Sequence, residues 1–128
     1  MYTVVSKQQF SEKVFKLEIT APLIARSRKA GHFVIVRLGE KGERVPLTIA
    51  GADIEKGTIT LVIQKVGHSS TQICDLNVGD QIADIVGPLG QATHIENFGA
   101  VVCAGGGVGV APMLPIIQAL KAAGNRVI

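Results

Sequence analysis

Three short stretches of this 128-residue chain carry groups able to do chemistry. "VVCAGGGVGVAPM" (101–113) sets Gly105, Gly106, Gly107 and Gly109 between an apolar run and a segment opening on Ala111 and Pro112. A strand that runs through glycines into a helix N-terminus can close backbone N–H groups on a phosphate. The spacing is not that of a dinucleotide GxGxxG turn: counted from Gly105 and Gly107, the sixth position is Val110. No GK[ST] follows, so a P-loop is excluded. The plainer alternative is a tight strand-to-helix turn. "ERVPLTIA" (43–50) places Arg44 beside Val45, Pro46, Leu47 and Thr48. An arginine can pair with an anion and a threonine hydroxyl can donate to a nearby heteroatom; a surface arginine at a strand mouth and a β-favouring threonine are the bland alternative. "QKVGHSSTQI" (64–73) ends a strand at Gly67 and leads a helix with Ser69, Ser70 and Thr71. That is a second place for an anion at a helix start, although one of the three hydroxyls would serve as an ordinary cap.

Composition narrows the function classes. Hydrophobic residues make up 47% and charged residues 18%, enough apolar surface for a core and too much for a disordered chain. The net charge of +3 favours an anionic ligand, but no Lys/Arg block is present, and with one Tyr, four Phe and no Trp there is little to stack on bases. Nucleic acid is therefore not an expected partner. Cys74 and Cys103 lack CxxC spacing, so neither a disulfide framework nor a zinc site is indicated and a cytoplasmic location is expected. His32, His68 and His94 are scattered and read as bystanders. No Ser/His/Asp set or carboxylate pair suggests hydrolysis. The uncharged run 97–120 is long enough for a membrane span, but its glycines and two prolines break it, and a strand, turn and helix are expected instead.

The elements that must position these groups read as two kinds. Up to about residue 90 the chain is strands: Thr3–Val5, Val14–Ile19, 31–38, 45–51, 57–66 and 80–87, β-branched runs bounded by turn residues. In "VFKLEIT", Val14, Lys16 and Glu18 share one face and Phe15, Leu17 and Ile19 the other. Six such strands suggest a closed barrel or sandwich. A short helix is expected over 69–76, while "GPLG" (87–90) and "IENFG" (95–99) show no regular pattern and mark a boundary. Beyond it, an apolar strand (100–104), a helix opened by Pro112 and closed by Gly124, and a second apolar strand (126–128) form one β-α-β unit.

In this order the motifs "AGHFVIV", "RVPLTIA", "GDQIADIVGPLG" and "VVCAGGGVGVAP" resemble the ferredoxin–NADP reductase superfamily. Within it they are most similar to its small flavin-bearing electron-transfer subunits, along essentially all 128 residues. The resemblance implies a six-stranded antiparallel Greek-key barrel of the FAD-binding type over 1–98, followed at 99–128 by the opening β-α-β unit of a nucleotide-binding α/β domain. It implies FAD on this chain, with NAD(P)H joining it in a complete protein. Electrons would pass between NAD(P)H and a larger oxidoreductase subunit or a ferredoxin-type iron–sulfur protein. Arg44, Val45, Pro46, Leu47 and Thr48 would hold flavin and pyrophosphate, with Leu47 packing on the ring and Thr48 reaching its N5 edge as the catalytic residue. Val62, Ile63 and Gln64 would line the cofactor, Ser69, Ser70 and Thr71 would meet the pyrophosphate, and Gly105, Gly106, Gly107, Gly109, Ala111 and Pro112 would face the nicotinamide.

Three departures from that pattern shape the expectations. Family members commonly place an arginine three residues before the Ser/Thr; here Val45 stands there and Arg44 one earlier, so a bulge is needed to keep Arg44 on the same face. The α/β domain lacks most of its strands, so the chain is expected to be part of a longer protein or to have its open sheet covered, with self-association possible. Neither cysteine matches the cluster cysteines of close relatives, so no [2Fe–2S] centre is expected on this chain. The competing class is a binding or scaffold module with the same barrel and no flavin.

Overall fold

The computed structural model describes residues 2–128. Seven strands form one antiparallel sheet: β1 (Tyr2–Gln9), β2 (Val14–Thr20), β3 (Phe33–Arg37), β4 (Val45–Asp53), β5 (Thr58–Gln64), β6 (Gln81–Ile82) and β7 (Asp84–Leu89), in the order β6-β1-β2-β5-β4-β3-β7. Strands β3, β4 and β5 are hairpin neighbours, and β2 lies beside β5, which is the Greek-key arrangement. The two edge strands, β6 and β7, are consecutive in sequence with Ala83 alone between them, so the sheet curls until its ends nearly meet in a barrel. The run expected as one strand over 80–87 is therefore two. The reason is closure: its first part pairs with β1 and its second with β3.

Alternation fills the barrel. β2 buries Phe15, Leu17 and Ile19 and turns Val14, Lys16 and Glu18 outward, as its pattern predicts. β5 adds Ile59, Leu61 and Ile63, and Val34, Val36, Ile49, Ile73, Ile82 and Ile85 complete the interior. Each such Leu or Ile contributes about 1.5–3 kcal/mol on leaving water.

Three features of the barrel differ from expectation. Helix α1 (Pro22–Ser27), with Pro22 at its first turn, was not foreseen in the sequence; it buries Ile24 and Ala25. "GPLG" is not patternless loop: Gly87, Pro88 and Leu89 end β7 on an edge strand, where proline's missing N–H is tolerated. Helix α2 (His68–Cys74) begins one residue before the expected segment and buries Ile73 and Cys74.

The second unit is smaller than the sequence suggests. β8 covers Ala100–Val101 rather than 100–104, and pairs in parallel with β9 (Arg126–Val127). Cys103 N–H donating to the Ile128 carbonyl at 2.8 Å extends the ladder slightly. A single 3₁₀ turn, Gly107–Gly109, leads into α3 (Val110–Ala122), so the helix starts ahead of Pro112. Gly124, at φ +97°, ends it as expected. Asn125 then locks the unit. Its amide donates to the carbonyls of Glu96 (2.7 Å) and Leu120 (3.0 Å), and its side-chain oxygen accepts from the N–H groups of Phe98 (2.6 Å) and Gly99 (3.1 Å).

Candidate functional site

A groove of about 830 Å³ lies between the outer faces of β2, β5 and β4 and the start of α3. Its floor exists because the outward residues of these strands line up. Val14 is opposite Gln64, Lys16 opposite Val62, Glu18 opposite Thr60 and Thr20 opposite Thr58. Small residues of β4, Ala50 to Ala52, leave room for α3 to cross, and Gly107, Val108, Val110 and Ala111 form the opposite wall. The groove is mixed in charge: Lys16 and Glu18 pair at 3.7 Å on the floor, while Arg28, Lys56 and Asp53 line the same groove. Volumes of this order suit a small organic ligand with a few placed polar groups.

The structure brings four of the sequence-predicted residues together here: Val62, Gln64, Gly107 and Ala111. Ile63 is a correction. It points to the opposite face of β5 and is buried in the core at 2% exposure, so only its main chain could line a ligand. Gly105, Gly106 and Gly109 are exposed in the turn beside the groove, and Pro112 is half-buried in the first turn of α3.

The segment 44–48 lies outside the groove lining. Val45 and Leu47 pack against the barrel core, Pro46 is exposed and Thr48 half-buried, so Pro46 and Thr48 share the outward face. Arg44 precedes the strand and is exposed. The bulge that its role would need is absent between 44 and 48; the register of β4 shifts later, between Ile49 and Gly51. Strand alternation nevertheless puts position 44 in phase with Pro46 and Thr48.

The hydroxyls at 69–71 divide their work. Ser70 Oγ accepts from the N–H groups of Val66 and Gly67, both at 2.9 Å, and so is the cap of α2 rather than a free donor. Ser69 donates to the Glu43 carboxylate, and Thr71 is half-buried one turn into the helix. Ser69 also faces a smaller recess of about 560 Å³, shared with Leu38, Lys41, Glu43, His68 and Gln72. Glu43 and the loop 38–43 carry no sequence signal beyond the glycines of "LGEKGE", which mark a turn.

One thiol is perturbed. Burial raises the Cys74 thiol above its ordinary range, against the opposing pull of the Lys65 and Lys7 ammonium groups. Cys103 is half-buried in the other unit.

No family model matches the chain. Among curated proteins it is 44% identical over 124 residues to a dihydroorotate dehydrogenase B (NAD(+)) electron transfer subunit homolog of Thermotoga maritima. That match takes in 97% of this chain and 44% of the relative. Against the dihydroorotate dehydrogenase B (NAD(+)) electron transfer subunit of Geobacillus thermodenitrificans, identity is 26% over 98% of this chain and 51% of the relative. The chain thus spans about half the length of the curated relatives it matches. Among solved structures, that of an NADH-dependent reduced ferredoxin–NADP oxidoreductase superposes with a TM-score of 0.97 at 42% identity, over 99% of this chain and 46% of the other. The ferredoxin reductase of carbazole 1,9a-dioxygenase gives 0.82 at 18% identity, over 98% and 40%, a likeness of fold alone. In sequence the chain is similar to these electron-transfer proteins, and its fold is that of the ferredoxin reductase-like solved structures.

Proposed function

We propose that this chain is the FAD-binding part of an electron-transfer oxidoreductase subunit that passes electrons between NAD(P)H and an iron–sulfur partner in the cytoplasm. The observation that carries this reading is the groove in which the outer face of β5, with Val62 and Gln64, meets the glycine turn at Gly107. In this reading residues 1–98 form the flavin domain and 99–128 belong to the nicotinamide domain. The described residues fit FAD in two respects. The groove is large enough for its ring, and the first turn of α2 already engages an oxyanion through Ser69, the carboxylate of Glu43. Gln64 ends β5 in the groove, and α2 begins at His68 just beyond it, so the two sites follow each other along one stretch of chain.

Bound FAD would supply the redox chemistry; the protein would orient it and keep water from it. Pro46 and Thr48 would face the flavin from β4, with the Thr48 hydroxyl offering a hydrogen bond at the N5 edge and Leu47 supporting the strand from beneath. Arg44 and Ser69 would meet the diphosphate, which would displace the Glu43 carboxylate because two anions do not share one donor. With two cysteines, these residues do not supply the four ligands of an iron–sulfur centre, and the reading gives that centre to the partner.

The test is FAD titration of the purified chain, followed by absorbance and flavin fluorescence. A yellow, stoichiometric complex is expected, and Thr48→Val should retain FAD while shifting its reduction potential. A chain that stays colourless after incubation with FAD is instead the scaffold module, and equal loss of binding and reduction in Thr48→Val would reduce Thr48 to a structural role.

A further inference from the structure

The aromatic residues of the chain are few, and all but one have a structural partner. Tyr2 packs against the core. Phe15 is buried, with the Lys7 and Lys65 ammonium groups over its ring at 5.1 and 5.0 Å. Phe33 lies close to Gly90, and Phe98 meets the His94 ring edge-on at 6.1 Å. Phe10 is 54% exposed and lines the groove. An exposed aromatic at a turn costs solubility and adds nothing to the core.

Its place is nonetheless well fixed. Phe10 begins the turn between β1 and β2, where its N–H donates to the Val14 carbonyl at 2.9 Å and Ser11 Oγ accepts from Val14 N–H at 3.2 Å. Lys65 N–H donates to the Lys13 carbonyl at 2.7 Å, which ties the turn to the end of β5. Val14 is the register partner of Gln64. Phe10 is therefore carried to the Gln64 end of the groove, whose lining also includes Val14 and Val62, on a tethered hairpin rather than a loose loop.

We infer that Phe10 is a flavin-positioning residue, its ring packing against the isoalloxazine at the Val62–Gln64 end of the groove. The inference rests on the FAD reading above and adds a residue to it. Leu47, the residue of the 44–48 segment expected to touch the ring, has its side chain against the barrel core, which leaves that segment without an outward-facing large apolar group. Phe10 supplies one from a different element. Stacking a planar heterocycle on an aromatic side chain is a large, sequence-tolerant contribution to nucleotide binding.

Phe10→Ala, Phe10→Trp and the parent chain are each titrated with FAD and with riboflavin, which carries the ring without the diphosphate. Circular dichroism and thermal melting check that the exposed substitution leaves the fold intact. Phe10→Ala is expected to weaken both ligands about tenfold and to raise the fluorescence of the bound flavin. Phe10→Trp should keep parental affinity and quench more deeply. Parental affinity and fluorescence in Phe10→Ala would overturn the contact while leaving the FAD reading in place. A loss seen with FAD but not with riboflavin would also overturn it, since Phe10 would then act away from the ring. A parent chain that binds neither ligand removes the FAD reading and this inference with it.

Discussion

Cys74 and Cys103 are chemically alike in sequence and unlike in the fold. Cys74 is sealed in the core, its Sγ–H donating to the Ile63 carbonyl at 3.7 Å, and burial holds its proton more tightly than in the unfolded chain. Cys103 sits half-buried at the edge of the small parallel sheet. A thiol reagent at neutral pH should therefore modify Cys103 in the native protein and reach Cys74 only after unfolding; mass spectrometry of labelled peptides would show it. Because the folded state raises the Cys74 pKa, its contribution to stability is complete below the unfolded thiol range and is lost as pH rises through that range and beyond. Chemical melts of the parent should weaken on the alkaline side, and Cys74→Ala, although less stable overall, should weaken less. Equal alkaline slopes would show that the thiol does not titrate on unfolding.

Among the elements, the β8-α3-β9 unit depends most on one side chain. Asn125 is 7% exposed and satisfies four backbone groups, three from the segment 96–99 and one from α3. Asn125→Ala would leave these groups unpaired and is expected to cost about 1–3 kcal/mol, concentrated in this unit. Hydrogen exchange should quicken at Gly99, Arg126 and Ile128 while β2 and β5 stay protected; uniform quickening would mean that barrel and β-α-β unit unfold together. Nothing in "AAGNRVI" announces this role, because the partners of Asn125 lie up to 29 residues away. Elsewhere the elements were legible where the pattern is local. The period of two in β2 and β5 reports the barrel interior directly, and the glycine run followed by Pro112 reports a strand-to-helix turn. The barrel was expected but its point of closure was not legible: β6 and β7 part at Ala83, which carries no turn signal, and only pairing to opposite edges separates them. Helix α1 is six residues with no side-chain cap, too short for periodicity to register. Of the site, Val62 and Gln64 rest on the family resemblance, and the alternation of β5 sets them apart from Ile63, whereas Phe10 and Ala50–Ala52 join them only through long-range pairing of β2, β5 and β4 and the crossing of α3.

Taken as a single body, the chain is a filled barrel with a thin parallel sheet at its side. Val102 is 75% and Ile128 62% exposed, and a two-stranded parallel sheet ordinarily has both faces covered. No helix among the described residues is long and apolar enough to cross a membrane. The open sheet should make the isolated chain associate as its concentration rises, and Val102→Lys, which places a charge on that surface, should shift a sizing profile toward monomer. An unchanged profile would assign any association to another surface. The same unit sets a rule on insertions. Helix α3 has the glycine turn at one end and Asn125 just past the other, and the first must face the groove while the second must reach back to Glu96, Phe98 and Gly99. Adding one residue to the helix turns one end relative to the other by about 100° and lengthens it by about 1.5 Å. The span between the two anchors is therefore a phase as well as a distance: only changes close to whole turns would leave the glycines aimed at the groove.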